Sequence, residues 1–576
     1  MSQREPIPAT QHAIQFVGPD EVVLNPSKPV GPVGPTQVLA RVEAVGICFS
    51  DTKLLHAWTD HPRKGPVVTG MAADVLAEIP NYVPGETPTV PGHEVCARIV
   101  AVGADVKRHR VGERVLVQTD YRTLMTSKAN AAFGYDFEGG LQEYVVMDER
   151  MIIEPGTDER FLIPVGEGPS ASSVALLEPW ACVERAYAST ERDRPKQGGR
   201  MLVVAEAGHA VDGLDALFAD SPPGSLVAVV AADAQRASVE DLGRAASLAP
   251  SFESDAATLP RESFDDIVYF GADQERLEGL QSLLALGGVI DVVLGGRRIG
   301  RPVQIDVGRI HYDLVRWVGT LGTSAQEGYR WAPTATELRD GDRVVVIGAA
   351  GPMGFMHVIR ALASGRRDLS MVAVDIDEAR LTHLSSVAAP LARDRGVAFT
   401  TVDSTKAEPG TGFSHVGVMV PIPAIAAGAL EMAGQGALID LFAGFAVGTR
   451  ASIDLDLLLD KQAYLFGTSG SIIDDMKAVL GRLESGRLDT DISVYAVSGL
   501  AGVPEALEAV QARTSGGKIV IYPRLRSMGL IRLTEMAELH PKVAAAFRDG
   551  RWTRAAEESL LATAGSEEAA GGGGHV

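Results

Sequence analysis

Cysteine is almost missing from this chain. Cys48, Cys96 and Cys182 are the only three in 576 residues, which excludes a disulfide framework and a four-cysteine zinc lobe. Positive charge is also short, with 53 Lys and Arg against 74 Asp and Glu and a net charge of −21. That excess repels phosphate backbones and anionic lipid, so neither nucleic acid nor a membrane surface is expected as a partner. No apolar run approaches the ~18 residues of a membrane span. The opening MSQREPIPATQHA has no basic-then-apolar signal pattern, so a cytoplasmic location is expected. Hydrophobic content of 46% and charged content of 22% are near the globular average, so most of the chain can bury cores. At roughly 150 residues per domain, the length suggests about four structural units. A large, acidic enzyme is the class left standing.

The first 185 residues read as short strands divided by Gly and Pro. Val38-Leu-Ala-Arg-Val-Glu-Ala-Val alternates, and Cys96 to Val102 and Arg114 to Gln118 look similar, as in a compact β domain. From about Gly198 the texture changes to apolar strands followed by Ala/Leu-rich helical stretches, the mark of a parallel α/β sheet. It runs to about Leu500, too far for one six-stranded sheet, and contains a repeat. Gly288-Val-Ile-Asp-Val-Val-Leu-Gly, Ile305-Asp306 and Val318-Gly-Thr-Leu-Gly-Thr-Ser form one ordered set of landmarks. Ala437-Leu-Ile-Asp-Leu-Phe-Ala-Gly, Ile453-Asp454 and Phe466-Gly-Thr-Ser-Gly-Ser form a second, and in both sets 13 positions separate the Asp from the Gly (Asp306 to Gly319, Asp454 to Gly467).

The expected fold is therefore α/β: a β-rich domain over 1–190 and two tandem doubly wound parallel sheets over 195–330 and 335–495. A return segment (496–525) carries the strand Gly517-Lys-Ile-Val-Ile-Tyr-Pro523. A helical extension (526–565) and a Gly-rich, disordered tail (566–576) complete the chain.

In the second unit, Asp342-Arg-Val-Val-Val-Ile runs into Gly348-Ala-Ala-Gly351-Pro352-Met353-Gly354. Small residues there let backbone approach a pyrophosphate, which then sits on helix N-terminal amides. The next strand ends at Asp375, 21 residues past Gly354, where a carboxylate would accept hydrogen bonds from ribose hydroxyls. The competing reading of Asp375 is a helix N-cap. A carboxylate disfavours a 2′-phosphate, which points to NAD rather than NADP. In the first unit, Ala205 and Val211 stand where the second has Gly348 and Gly354, Glu206 adds negative charge inside the turn, and Val230 replaces Asp375. This unit keeps the fold landmarks without the cofactor chemistry, so one NAD per chain is expected.

Three further pieces lie in the N-terminal third: Gly46-Ile-Cys48-Phe-Ser50-Asp51, Pro91-Gly92-His93-Glu94 and Leu177-Glu178-Pro179. With the dinucleotide unit they resemble the zinc-containing medium-chain dehydrogenases/reductases, in particular the polyol branch that includes sorbitol dehydrogenase. The likeness continues through Val102-Gly103, Val111-Gly-Glu-Arg-Val115, Gly139-Gly-Leu-Gln-Glu-Tyr144 and the Gly-Lys-Ile-Val-Ile strand. Cys-Phe-Ser-Asp, His61-Pro-Arg63, Glu178-Pro-Trp and the tandem units look most like the L-sorbose 1-phosphate reductase subgroup. Two departures stand out: Ala97 replaces the family's glycine three residues after Gly-His-Glu, and the segment from Cys48 to His93 is long.

The resemblance implies a GroES-like catalytic domain, Rossmann-like sheets and one catalytic zinc per chain, with no structural zinc. Its ligands would be Cys48, His93 and a carboxylate, either Glu94 or Glu178, a donor set that suits zinc with one position left open. Cys182, four residues past Glu178, is a weaker candidate ligand. Asp51 would buttress His93 and Ser50 would pass the substrate proton outward, with His56 or His61 as possible continuations. The nicotinamide ring would lie near Gly467-Thr468-Ser469. The implied reaction is hydride transfer between NAD(H) and a polyol, ketose or sugar phosphate, with Arg63 as a candidate phosphate ligand. A homo-oligomer, dimer or tetramer, is expected. The alternatives are a redox-neutral epimerase with tightly bound NAD and a non-catalytic dinucleotide-binding scaffold.

Overall fold

The computed structural model describes residues 6–571. These fall into two compact units: residues up to Ala181 together with those from Ser471 onward, and Cys182–Gly470. The boundary at Ser471 gives residues 471–495 to the first unit, whereas the sequence pattern ran the second unit on to 495. The reason is strand pairing. Val494–Ser498 lies parallel to Lys518–Ile521, which in turn pairs antiparallel with Gln37–Gly46.

The first unit is built on an eight-stranded sheet. Its central strand, Gln37–Gly46, pairs with Glu94–Val102, Lys518–Ile521 and Tyr144–Asp148. Alternation explains the fold: Val38, Ala40, Val42 and Val45 face a core with Val95, Ala97, Ile99, Ile519 and Ile521. The long segment before His93 forms a helical turn, the strand Val67–Thr69 and the helix Ala73–Ala77. Val67–Thr69 joins Asp120–Thr126 and Asn130–Ala132 in a small separate sheet. At the C-terminus the helix Arg554–Gly571 runs through the first part of the expected tail, and 572–576 lie outside the described residues. Among the described residues no helix is long and apolar enough to cross a membrane.

The second unit holds both α/β repeats, and their two expected sheets are joined edge to edge into one sheet of twelve strands. The first half runs Ser251–Phe252, Ser225–Val230, Arg200–Ala205, Phe264–Phe270, Leu284–Val293, Arg316–Thr320. The second half continues in mirrored order: Tyr464–Phe466, Ala433–Asp440, Phe413–Val418, Arg343–Ile347, Ser370–Asp375, Ala398–Asp403. Each half has the strand order 3-2-1-4-5-6 of a doubly wound fold. One hydrophobic core, from Leu202 and Ile290 to Val345 and Leu465, runs beneath both halves.

The join obeys an internal two-fold. Asp306 and Asp454 stand 148 positions apart, as do Gln304 and Ser452, Trp317 and Leu465, and Gly319 and Gly467. Trp317 pairs antiparallel with Leu465, its own equivalent. Gln304 pairs with Ser452, again its equivalent, in the small ribbon Val303–Asp306 with Arg450–Ile453. Each half therefore presents the same patch to the other, the geometry of an isologous contact, here within one chain.

Candidate metal and dinucleotide sites

Cys48 sits at the end of the buried strand Gln37–Gly46 and caps the helix Phe49–Ala57. His93 and Glu94 open the neighbouring strand, with Glu94 in register against Gly46. A side chain on Gly46 would collide with Glu94 Oε2, so glycine there makes room for the carboxylate. Asp51 ties the two segments together from a fully buried position. It accepts the Cys48 N–H at 2.9 Å, the Gly92 N–H at 3.3 Å and His93 Nδ1 at 3.2 Å. With Nδ1 donating to Asp51, His93 turns Nε2 toward the thiol, as a ligating imidazole requires.

One sulfur, one nitrogen and one carboxylate oxygen from Cys48, His93 and Glu94 lie within 4.8 Å of one another. Ser50 Oγ donates to Cys48 Sγ at 3.0 Å and is 3.3 Å from His93 Nε2. Glu94 Oε1 is held by Lys518 at 2.5 Å, and Lys518 also donates to the Ile47 carbonyl at 2.7 Å. Burial opposes the ammonium charge of Lys518, but Glu94, Cys48 and Glu178 outweigh it and hold its pKa above the ordinary lysine range. Glu94 Oε2 is buried with no hydrogen-bond partner. A buried carboxylate oxygen without a donor, beside a thiol and an imidazole nitrogen, is the environment a zinc ion satisfies, so the residues fit the metal.

Glu178 lies on the helix Leu177–Ala188, outside this tight trio but within electrostatic reach of it. Burial pushes its carboxyl up to about 7, with His93 opposing and Glu94 adding to the shift. Burial also works against charge on His93, but Tyr135, Asp51 and Cys48 outweigh it and hold the imidazole well above its ordinary pKa. Cys182 is half-buried and Cys96 is buried against Glu43.

Of the two candidate relay histidines, only His61 is near the centre: its ring stacks on Tyr135 at 5.1 Å, and Tyr135 lies 5.6 Å from His93. His56 is 77% exposed and pairs with Asp20, because it occupies the solvent face of its helix. Arg63 is committed to Asp120 at 2.6 Å and reaches toward Asn130. Tyr135 and Lys518 were not assigned to the site from sequence. Lys518 stood in plain view in the Gly-Lys-Ile-Val-Ile strand, but only the pairing of that strand with 37–46 reveals its role. Tyr135 carried no local signal.

The dinucleotide motif occupies the first strand-to-helix turn of the second half. Gly348 has φ +80°, and a Cβ on Gly354 would lie 2.7 Å from Ala349 Cα and collide with the Gly348 carbonyl, so only glycine permits this approach of helix to strand. The helix Pro352–Leu362 follows at once, with Gly351 as its N-cap and no side-chain cap. Its first amides are left for an anion. Asp375 ends the adjacent strand and is not an N-cap; that position belongs to Asp377. The Asp375 carboxylate accepts the N–H groups of Ala350, Ile376 and Asp377 at 3.0, 2.8 and 3.2 Å, and Arg380 stands 3.3 Å from it. Thr468, beside Gly467, is buried with its hydroxyl unpartnered, while Ser469 is exposed. A cradle that only glycine allows fits a dinucleotide, and the buried Thr468 hydroxyl is left without a hydrogen-bond partner among the described residues.

The corresponding turn of the first half is filled by the chain itself. Tyr269 donates to Glu206, and Gln235 donates to the carbonyls of Glu206 and His209, each at 2.7 Å. The following helix, Leu214–Asp220, starts only after a longer turn and has seven residues against eleven for Pro352–Leu362.

Residues 34–156 match the model of the alcohol dehydrogenase GroES-like domain. The chain is 30% identical over 182 residues to D-altritol 5-dehydrogenase of Agrobacterium fabrum, covering 30% of this chain and 44% of that protein. It is 29% identical over 174 residues to sorbitol dehydrogenase of Bacillus subtilis, covering 28% and 41% of the two chains. With L-sorbose 1-phosphate reductase of Klebsiella pneumoniae it shares 25% identity over 317 residues, 50% of this chain and 70% of that one. The matches thus span less than half the length of the first two relatives. The crystal structure of 2R,3R-butanediol dehydrogenase from Bacillus subtilis superposes with a TM-score of 0.50 and 15% identity, covering 89% of this chain and 100% of that one, a likeness of fold. Residues 34–156 are thus an alcohol dehydrogenase GroES-like domain, and the chain is similar to polyol and sugar-phosphate oxidoreductases of the zinc-type medium-chain dehydrogenase/reductase kind.

Proposed function

We propose that the protein is an oxidoreductase that moves a hydride between NAD(H) and a secondary alcohol or ketone of the polyol, ketose or sugar phosphate class. The observation that carries this reading is the Cys48, His93 and Glu94 cluster, braced by Asp51 and placed on a GroES-like domain. Zinc held there would supply a Lewis acid that lowers the pKa of a substrate hydroxyl, and the dinucleotide would supply the hydride acceptor.

The chain's own residues do the rest. Asp51 fixes the tautomer of His93 and the backbone of Cys48 in one stroke. Lys518 neutralises Glu94 on one oxygen and leaves the other for the metal. Ser50, hydrogen-bonded to Cys48 Sγ, is placed to take the substrate proton, and His61 rather than His56 stands near enough to shape that side of the site. Glu178, with its raised pKa, can hold or release a proton at neutral pH. In the second unit, Gly348, Gly351 and Gly354 admit the pyrophosphate and Asp375 receives the ribose. Glu206, Gln235 and Val211 keep the first half free of cofactor.

Purified protein should contain one zinc per chain and should change NADH absorbance with at least one member of a panel of polyols and ketose phosphates. Cys48→Ala should lose the zinc and at least a thousandfold in turnover while NADH still binds. Full activity without zinc would overturn the assignment, and turnover without added NAD would move it to redox-neutral epimerisation.

A further inference from the structure

The internal two-fold makes one asymmetry visible. Equivalent positions of the two halves face each other across the join, and at the ribbon polar contacts run both ways, from the Gly448 N–H to Asp306 and from Gln304 to Ser452. Of the two loops that follow the last strands, however, only 467–469 is held by a polar side chain of the other half among the described residues. Arg316, on the last strand of the first half, donates from Nη2 to the carbonyl of Gly467 at 2.9 Å. His311, on the preceding helix of the same half, lies with Nδ1 3.2 Å from the Leu441 carbonyl. Their equivalents in the second half are Tyr464 and Leu459. Leu459 meets Gly319, the counterpart of Gly467, only as an apolar contact. Tyr464 donates to Glu191 at 2.7 Å rather than to the first half's loop.

The guanidinium is built for the purpose. Arg316 is buried, and its remaining donors go to Glu191 at 2.7 and 3.2 Å and to the carbonyls of Ile310 and Val315 at 3.1 and 3.2 Å. Glu191 is itself fixed by Ser189 and Tyr464. A fork with every arm engaged has one geometry, which is then imposed on the Gly467 carbonyl. Gly467 has no slack: a side chain there would stand 3.0 Å from the Leu441 carbonyl and 3.1 Å from His311 Cα. The next residue is Thr468, whose buried hydroxyl has no hydrogen-bond partner among the described residues.

We propose that the cofactor-free half is a positioning module for the cofactor-bearing half. Arg316, with His311 beside it, sets the loop 467–469 so that Thr468 meets the nicotinamide end of the dinucleotide. Arg316 is thus a positioning residue that acts through Gly467. The proposal rests on reading 348–375 as the dinucleotide site, and it explains why a half without cofactor chemistry keeps its register against the other.

The test compares NADH with ADP-ribose, which has the adenosine and both phosphates but no nicotinamide, by equilibrium titration on the full chain. Wild type should bind both. Arg316→Met removes one charge-assisted hydrogen bond to the loop, so NADH should weaken about tenfold or more while ADP-ribose stays within about twofold. Arg316→Lys should fall between, and the emission of bound NADH should shift toward that of free NADH in both variants. His311→Leu, which installs the residue of the second half, should show the same split more weakly and covers the case in which Arg316→Met fails to fold. Arg298→Met, which removes contacts across the join to Asp456 and Asp460 away from the loop, should leave the ratio unchanged. Equal weakening of both ligands, or of neither, in Arg316→Lys and His311→Leu would overturn the positioning role. Wild type that binds neither ligand would overturn the dinucleotide reading, and this proposal with it.

Discussion

The two halves of the twelve-stranded sheet share strand order, landmarks and a mutual two-fold, and they differ in the few residues on which dinucleotide chemistry depends. In the second half the strand Arg343–Ile347 passes through Gly348 and Gly351 straight into an eleven-residue helix that carries Gly354 in its first turn. In the first half the equivalent strand enters a longer turn whose space is taken by Glu206 and Gln235, and the helix after it has seven residues. The neighbouring strand ends at Asp375 in one half and at Val230 in the other. Conversely, what persists in both halves, including Asp306 and Asp454 as helix caps, serves folding. The fold and the glycine turn are therefore separable within one sheet, and the first half shows what packing alone retains.

The comparison breaks most sharply at the glycine cradle. Gly354→Val should abolish NADH binding, by more than about a hundredfold, because its first carbon already collides with the turn. The reciprocal Val211→Gly should leave binding unchanged, since Glu206 and Gln235 still fill the first turn; titration of both variants checks this.

A smaller effect is expected at Asp375. Two like charges about 4 Å apart repel by roughly 4 kcal/mol at an effective dielectric of 20, and even half of that exceeds tenfold in affinity. Arg380 offsets part of this charge, so Asp375→Ala should narrow the preference for NADH over NADPH by about tenfold and Arg380→Ala should widen it. Competition titrations with the two dinucleotides measure both.

The smallest effect concerns stability. At equivalent register positions the first half buries Asp266, bonded to Arg192 and Tyr329, and the second buries His415 with both ring nitrogens unpartnered. Burial depresses the His415 pKa to about 4, below the ~6.5 of an unfolded histidine. The unfolded chain therefore takes up the proton first as pH falls, and stability present above about 6.5 is lost toward about 4. His415→Leu should move the acid midpoint of unfolding down by about half a pH unit, as followed by circular dichroism.

Much of this was legible in the sequence, for a physical reason in each case. The repeat could be read because strand cores and capping carboxylates are local requirements, and the dinucleotide turn because only glycine admits the backbone approach. The trio of Cys48, His93 and Glu94 could be read from the motifs that carry the family likeness. The joining of the two sheets could not, because the pairing of Trp317 with Leu465 is non-local and leaves no pattern in either strand. Lys518 was hidden for the same reason, 424 positions from the Glu94 it holds. His56 and His61 looked alike in sequence; helix phase puts one in solvent and the stacking of the other on Tyr135 brings it inward.

Two homologous halves are proposed to carry a single working dinucleotide site. Equilibrium titration of the purified chain with NADH, counting sites per chain, tests it most directly. One site is expected, lost in Gly354→Val and kept in Gly208→Val. Two sites of comparable affinity, or loss of all binding in Gly208→Val with Gly351 intact, would contradict it.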